Sequence, residues 1–108
     1  MKHTTLTRLK KKANQLTNNF LPKAQKKMMV EMTKRAKEGD RELAVMYAND
    51  LADIMYVCYG IKNGNYCEAH NYWWDMDTDP RDMFPNTLIN ILDKLSDYEH
   101  DHNAEVED

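Results

Sequence analysis

An all-α fold, a small helical bundle with one long central helix, is what this sequence predicts. Its apolar residues recur at steps of three and four, and only three glycines and three prolines punctuate them. Extended β-branched runs are few, so the chain offers little material for a set of hairpins. At 108 residues, 42% hydrophobic and 31% charged, it has the size and composition of one globular domain with one core.

The first stripe is Leu6, Leu9, Ala13, Leu16 and Phe20, with Lys10, Lys11 and Lys12 largely off it. Asn18-Asn19 followed by Pro22 predicts its end, and a second helix is expected from near Pro22 through Ala24, Met28, Met32 and Ala36 to Glu38-Gly39-Asp40. Gly39 suits a left-handed stop, and Asp40 can cap the next helix by accepting a first-turn N–H. That next helix is the strongest pattern in the chain. Leu43, Met46, Tyr47, Asp50, Leu51, Ile54, Met55, Cys58 and Ile61 keep helical spacing until Asn63-Gly64-Asn65.

Tyr66 to Trp74 is short and aromatic, and Asp75 to Pro80 reads as an acidic loop. Leu88, Ile89, Leu92 and Leu95 mark a last helix with Asn86 or Thr87 as its expected cap. Residues 1–98 then form the single helical domain, and 99–108 an acidic tail expected to be mobile. The paired tryptophans Trp73 and Trp74 suit either a stacking surface or the closed end of a bundle. Met28, Met32, Met46 and Met55 fall on helical stripes, as core filler does.

Charge is distributed unevenly. Residues 1–38 hold eleven Lys and Arg against Glu31 and Glu38, whereas the rest of the chain holds four against sixteen acids. Two readings follow: a basic part that meets a phosphate-rich partner, or basic helices neutralised by acidic neighbours in the same assembly. Lys10 to Lys12 with Lys23, Lys26 and Lys27 suit contact with a nucleic-acid backbone, but no groove-reading motif accompanies them. Cys58 and Cys67 form no Cys-x-x-Cys pair, no apolar run approaches the ~18 residues of a bilayer span, and no signal-like segment opens the chain. A cytoplasmic protein with no membrane segment is therefore the expectation.

Asp50 and Asp53 stand three apart, so on a helix their carboxylates leave adjacent turns of one face and can share a divalent cation. Lying within an apolar stripe, they need a cation or hydrogen bonds to offset desolvation.

The run Ala48-Asn49-Asp50-Leu51-Ala52-Asp53-Ile54-Met55-Tyr56-Val57-Cys58-Tyr59-Gly60, preceded by Glu38-Gly39-Asp40, resembles a conserved segment of the all-α nucleoside triphosphate pyrophosphatases, the MazG and phosphoribosyl-ATP pyrophosphohydrolase group. The likeness covers roughly residues 28–60. In that group one helix with Glu-Glu-x-x-Glu faces another with Glu-x-x-Asp, and together they bind magnesium at nucleotide phosphates. The resemblance implies that Asp50 and Asp53 fill the second pattern. The first pattern is degenerate here: Val30-Glu31-Met32-Thr33-Lys34 keeps only Glu31 and has lysine in place of the third acid. Glu68-Ala69-His70-Asn71 resembles a later Glu-x-His segment, at shorter spacing.

What the resemblance implies is a nucleotide-binding protein with Glu31, Asp50 and Asp53 as magnesium ligands and catalytic carboxylates, and Lys34 on phosphate. Cleavage would fall between the α and β phosphates. The competing expectation places the Lys34 ammonium among the three acids and leaves the scaffold without catalysis. The other class of reading is a non-catalytic, charge-polarised interaction protein, a small phage-type effector or inhibitor that binds a host macromolecule. A homodimer is expected in either case, because the third helix has more apolar face than one short chain covers.

Overall fold

The computed structural model of the chain describes residues 2–76 and 79–107; at position 80 and from 102 to 107 it describes the backbone alone. The described residues form helices α1 (His3–Lys37), α2 (Arg41–Lys62), α3 (Tyr66–Trp74), the single turn α4 (Pro80–Met83) and α5 (Asn86–Glu107), with no strand. The fold class is thus all-α, as the sequence predicts. The molecule is elongated, 54 × 27 × 19 Å.

The expected break near Pro22 does not occur. The first two predicted helices are one helix of 35 residues with Pro22 inside it, so α1 rather than α2 is the longest element. The buried residues Ala13, Thr17, Leu21, Ala24 and Met28 stay in phase across the proline. Burial of this stripe outweighs the lost backbone hydrogen bond, and the ring itself lies on the exposed side of the helix.

Glu38-Gly39-Asp40 turns the chain back as predicted. Gly39 has φ 80, Gly39 and Asp40 donate to the Ala36 and Arg35 carbonyls, and Asp40 Oδ1 accepts from the Leu43 N–H at 3.2 Å. α1 and α2 form a long antiparallel hairpin, the most extensive helix pairing in the fold. α2 also carries α3, α3 packs on α5, and α5 closes onto α1.

The core sits at one end of this hairpin. Ile54, Val57, Cys58 and Ile61 of α2 meet Leu21 and Ala24 of α1 and Leu88, Leu92 and Leu95 of α5 within one buried cluster. Gly64, at φ 78, ends α2, and Gly60 lets α3 approach α2 closely at Ala69. The predicted cap of the last helix is corrected by one position. Asn86 is already helical, Thr87 lies in the first turn, and Ile89 donates to the Pro85 carbonyl at 3.1 Å.

α5 continues beyond Tyr98. Glu99 Oε2 accepts the N–H groups of Tyr66 and Cys67 at 2.7 and 3.1 Å, capping α3 from another helix. The Cys67 thiol adds a donation to the Ser96 carbonyl at 3.2 Å. Of the aromatic pair, Trp73 is buried and Trp74 is 67% exposed, so the first closes the bundle and the second faces solvent. Asp77 and Thr78 of the acidic loop lie outside the described residues. Among the described residues no helix is long and apolar enough to cross a membrane.

Candidate functional site

Between residues 29 and 49 no side chain is buried, so beyond Met28 the α1–α2 hairpin stands clear of the core. At its base α4 folds across the two helices and closes a cleft of ≈ 420 Å³. Its walls include Lys27 and Glu31 from α1, Tyr47 and Asp50 from α2, and Asp82 from α4. An adjoining chamber of ≈ 200 Å³ shares Lys27, Met28, Asp82 and Met83 and is floored by Ile54.

Glu31 and Asp50 are brought together by the hairpin itself. They stand on facing helices on either side of the Gly39 turn, and antiparallel pairing brings both to the wall of this cleft. Asp50 is 2% exposed, whereas Glu31 is half-buried at the rim. Asp53, one turn further along α2, is half-buried, and next to it Ile54 faces the adjoining chamber. Lys34 goes elsewhere. It is exposed and, with Met29, Val30, Thr33 and Lys37, lines an open groove on another face of α1.

The cation beside Glu31 is Arg35, at 3.7 Å, which also binds Glu38 at 3.2 Å. Against the desolvation that opposes its charge, Arg35 is held above its ordinary pKa by Glu38, Tyr47 and Glu31. Positions three and four along a helix both come within reach of Glu31, and it is Arg35 that turns to the acid while Lys34 lines the other groove.

Asp82, Lys27 and Tyr47 are the site residues that the sequence pattern did not single out for this cleft. Asp82 follows the acidic loop directly, and Lys27 belongs to the basic cluster of α1, so both carried a signal without a location. Among the described residues, no three His, Cys, Asp or Glu side chains converge closely enough to hold a metal ion by themselves.

A second polar cluster lies between α3 and α5. His70 Nε2 stands 2.7 Å from Asp93 Oδ1, and its ring lies against Trp73 and Trp74. The Glu68-Ala69-His70-Asn71 segment thus spends its histidine on tying α3 to α5, while Glu68 is exposed.

Comparison with family models, with curated proteins and with solved structures finds no match.

Proposed function

We propose that this chain binds a nucleoside polyphosphate with magnesium in the cleft between α1, α2 and α4. The observation that carries the reading is that Glu31 and Asp50, from facing helices, line one cleft together with Lys27. Magnesium keeps several waters and takes only one or two protein carboxylates plus phosphate oxygens, so a two-carboxylate site suits a single ion delivered with its nucleotide. A cluster of ions does not fit this donor set.

Glu31 and Asp50 would hold the ion, with Asp53 available from the next turn of α2. When bound, the ion supplies charge screening on the phosphates and a lowered pKa for a coordinated water. Lys27 meets the phosphates from the opposite sign of charge, and the buried surroundings of Asp50 keep bulk water from competing. The degenerate first acidic pattern leaves binding better supported than turnover.

Thermal unfolding with magnesium and a nucleoside triphosphate tests this directly. Ligand at about one hundred times its Kd adds ~2.7 kcal/mol of stability, and Asp50→Asn abolishes the gain. An unchanged midpoint in the wild type at millimolar magnesium–nucleotide rejects the reading. Pyrophosphate release in the same samples decides whether the site turns over.

We further propose a homodimer through the protruding hairpin. Met32, Ala36, Ala44, Val45 and Ala48 form an open apolar face of small side chains there. Around it Glu38 and Glu42 stand beside Arg35 and Arg41, a mixed pattern that complements itself in an antiparallel pair. Sedimentation equilibrium gives a dimer mass for the wild type and a monomer for Val45→Glu; a wild-type monomer at high concentration refutes the pairing.

A further inference from the structure

The lysines of α1 have two readings, a partner surface or neutralisation by acidic neighbours, and the ion pairs within one chain bear on the second. α1 turns one side to the core through Leu6, Ala13, Leu21, Ala24 and Met28. At about 100° per residue, the outward side carries Lys11 and Lys12, then Lys23 and Lys26, then Lys34 and Lys37, all of them exposed, with Lys23 also at the edge of the chamber floored by Ile54. Among the described residues none of these six lysines lies in an ion pair; the pairs involve Arg35, His70 and Arg81. Within one chain, the acidic residues described do not pair with this face.

The three lysine pairs are regularly spaced. At ~1.5 Å rise per residue their centres stand about 19.5 and about 16.5 Å apart, about 36 Å in all. One turn of duplex DNA is about 34 Å, and its two strands each cross a line along the duplex once per turn. A helix with three basic clusters over that length can set each of them against backbone phosphate along one face of the duplex.

We infer that the outer face of α1 is a docking surface for double-stranded DNA, read through its phosphates and not its bases. Two features favour this occupant. An amphipathic helix that lies on a lipid surface must insert an apolar face, and up to Met28 the apolar face of α1 is taken up by the core. Single strands are held by stacking on aromatic rings, and the aromatic residue of α1, Phe20, is half-buried and packed on Phe84 with ring centroids 4.9 Å apart. The net charge of -3 does not forbid contact, because at physiological salt charges more than ~8 Å away are largely screened.

The test is fluorescence anisotropy of the full chain with labelled DNA duplexes about three turns long, in two unrelated sequences. Up to six phosphate contacts give a log–log salt slope of about -5, hence roughly a thousandfold loss of affinity between about 50 and 200 mM salt. Both sequences bind equally. Lys12→Glu/Lys26→Glu/Lys37→Glu, one change in each pair, weakens binding more than a hundredfold with the helical circular dichroism retained. Lys62→Glu/Arg81→Glu/Lys94→Glu makes the same change of net charge off the stripe and leaves most of the affinity. Absence of binding at low salt overturns the inference. So does equal damage from the two triple variants, or tighter binding to a single-stranded oligonucleotide or to anionic vesicles.

Discussion

Replacing Gly60 by alanine sets two opposed effects against each other at the contact between α2 and α3. Alanine is the better helix former by about 1 kcal/mol. The added Cβ would stand 2.8 Å from Ala69 Cβ, 3.2 Å from Ala69 Cα and 3.3 Å from the Asn65 carbonyl oxygen. None of these atoms is the loose end of a side chain, so α3 as a whole must retreat. Overpacking of this kind costs about 1–3 kcal/mol, and Glu99 and the Ser96–Cys67 contact resist the movement on the far side of α3. Because that movement is resisted, the steric cost falls in the upper part of its range, about 2–3 kcal/mol, and wins by ~1–2 kcal/mol, a fall in Tm of roughly 5–10 °C. Thermal unfolding followed by circular dichroism reads this, and Ala69→Gly added to Gly60→Ala recovers part of the loss. If Gly60→Ala raises Tm, or if the two changes are simply additive, the close approach of the helices is wrong.

Three further outcomes follow from other contacts. Glu99→Ala removes the acceptor for two N–H groups at the start of α3 and lowers stability by ~1–2 kcal/mol in chemical denaturation, with faster amide exchange at Tyr66 and Cys67; unchanged exchange there contradicts the cap. Pro22→Ala restores a backbone donor inside α1 and raises Tm, whereas a fall would show that the proline ring is needed where it stands. Burial pushes the Cys58 thiol up from 9.0 to about 12, more than Lys62 lowers it. The unfolded chain therefore loses this proton first, and stability falls by up to ~1.4 kcal/mol per pH unit as pH rises from about 9 towards 12. Tyr66, raised by burial and by Glu99, acts in the same direction above pH 10. Cys58→Ala flattens the profile between pH 9 and 10; parallel profiles for the two proteins refute the assignment.

Local signals were enough to read α2 and its flanks. Asp40, Gly39 and the Asn63-Gly64-Asn65 turn act through their own backbone and neighbouring side chains, and all three do in the structure what their residue types suggest. Pro22 misled because the factor that overrides it, burial of Leu21 and Ala24 against α2, is tertiary. The helix at Tyr66–Trp74 was equally out of reach, since its N-terminus is satisfied by Glu99, more than thirty residues away. Within the site, the presence of Glu31 and Asp50 in one cleft follows from a two-helix hairpin folded about Gly39, so it could be anticipated. The entry of Asp82 could not, because it depends on how α4 crosses the hairpin. The choice between Lys34 and Arg35 is not fixed by spacing, because both positions come within reach of Glu31 on a helix.

Isothermal titration of a nucleoside triphosphate into the wild-type protein, with and without magnesium, bears most directly on the cleft between Glu31 and Asp50. The structure and its chemistry predict one site per chain that needs magnesium and that weakens at least tenfold in Glu31→Gln. Nucleotide binding of equal strength with the metal chelated, or indifferent to Glu31, would contradict the account.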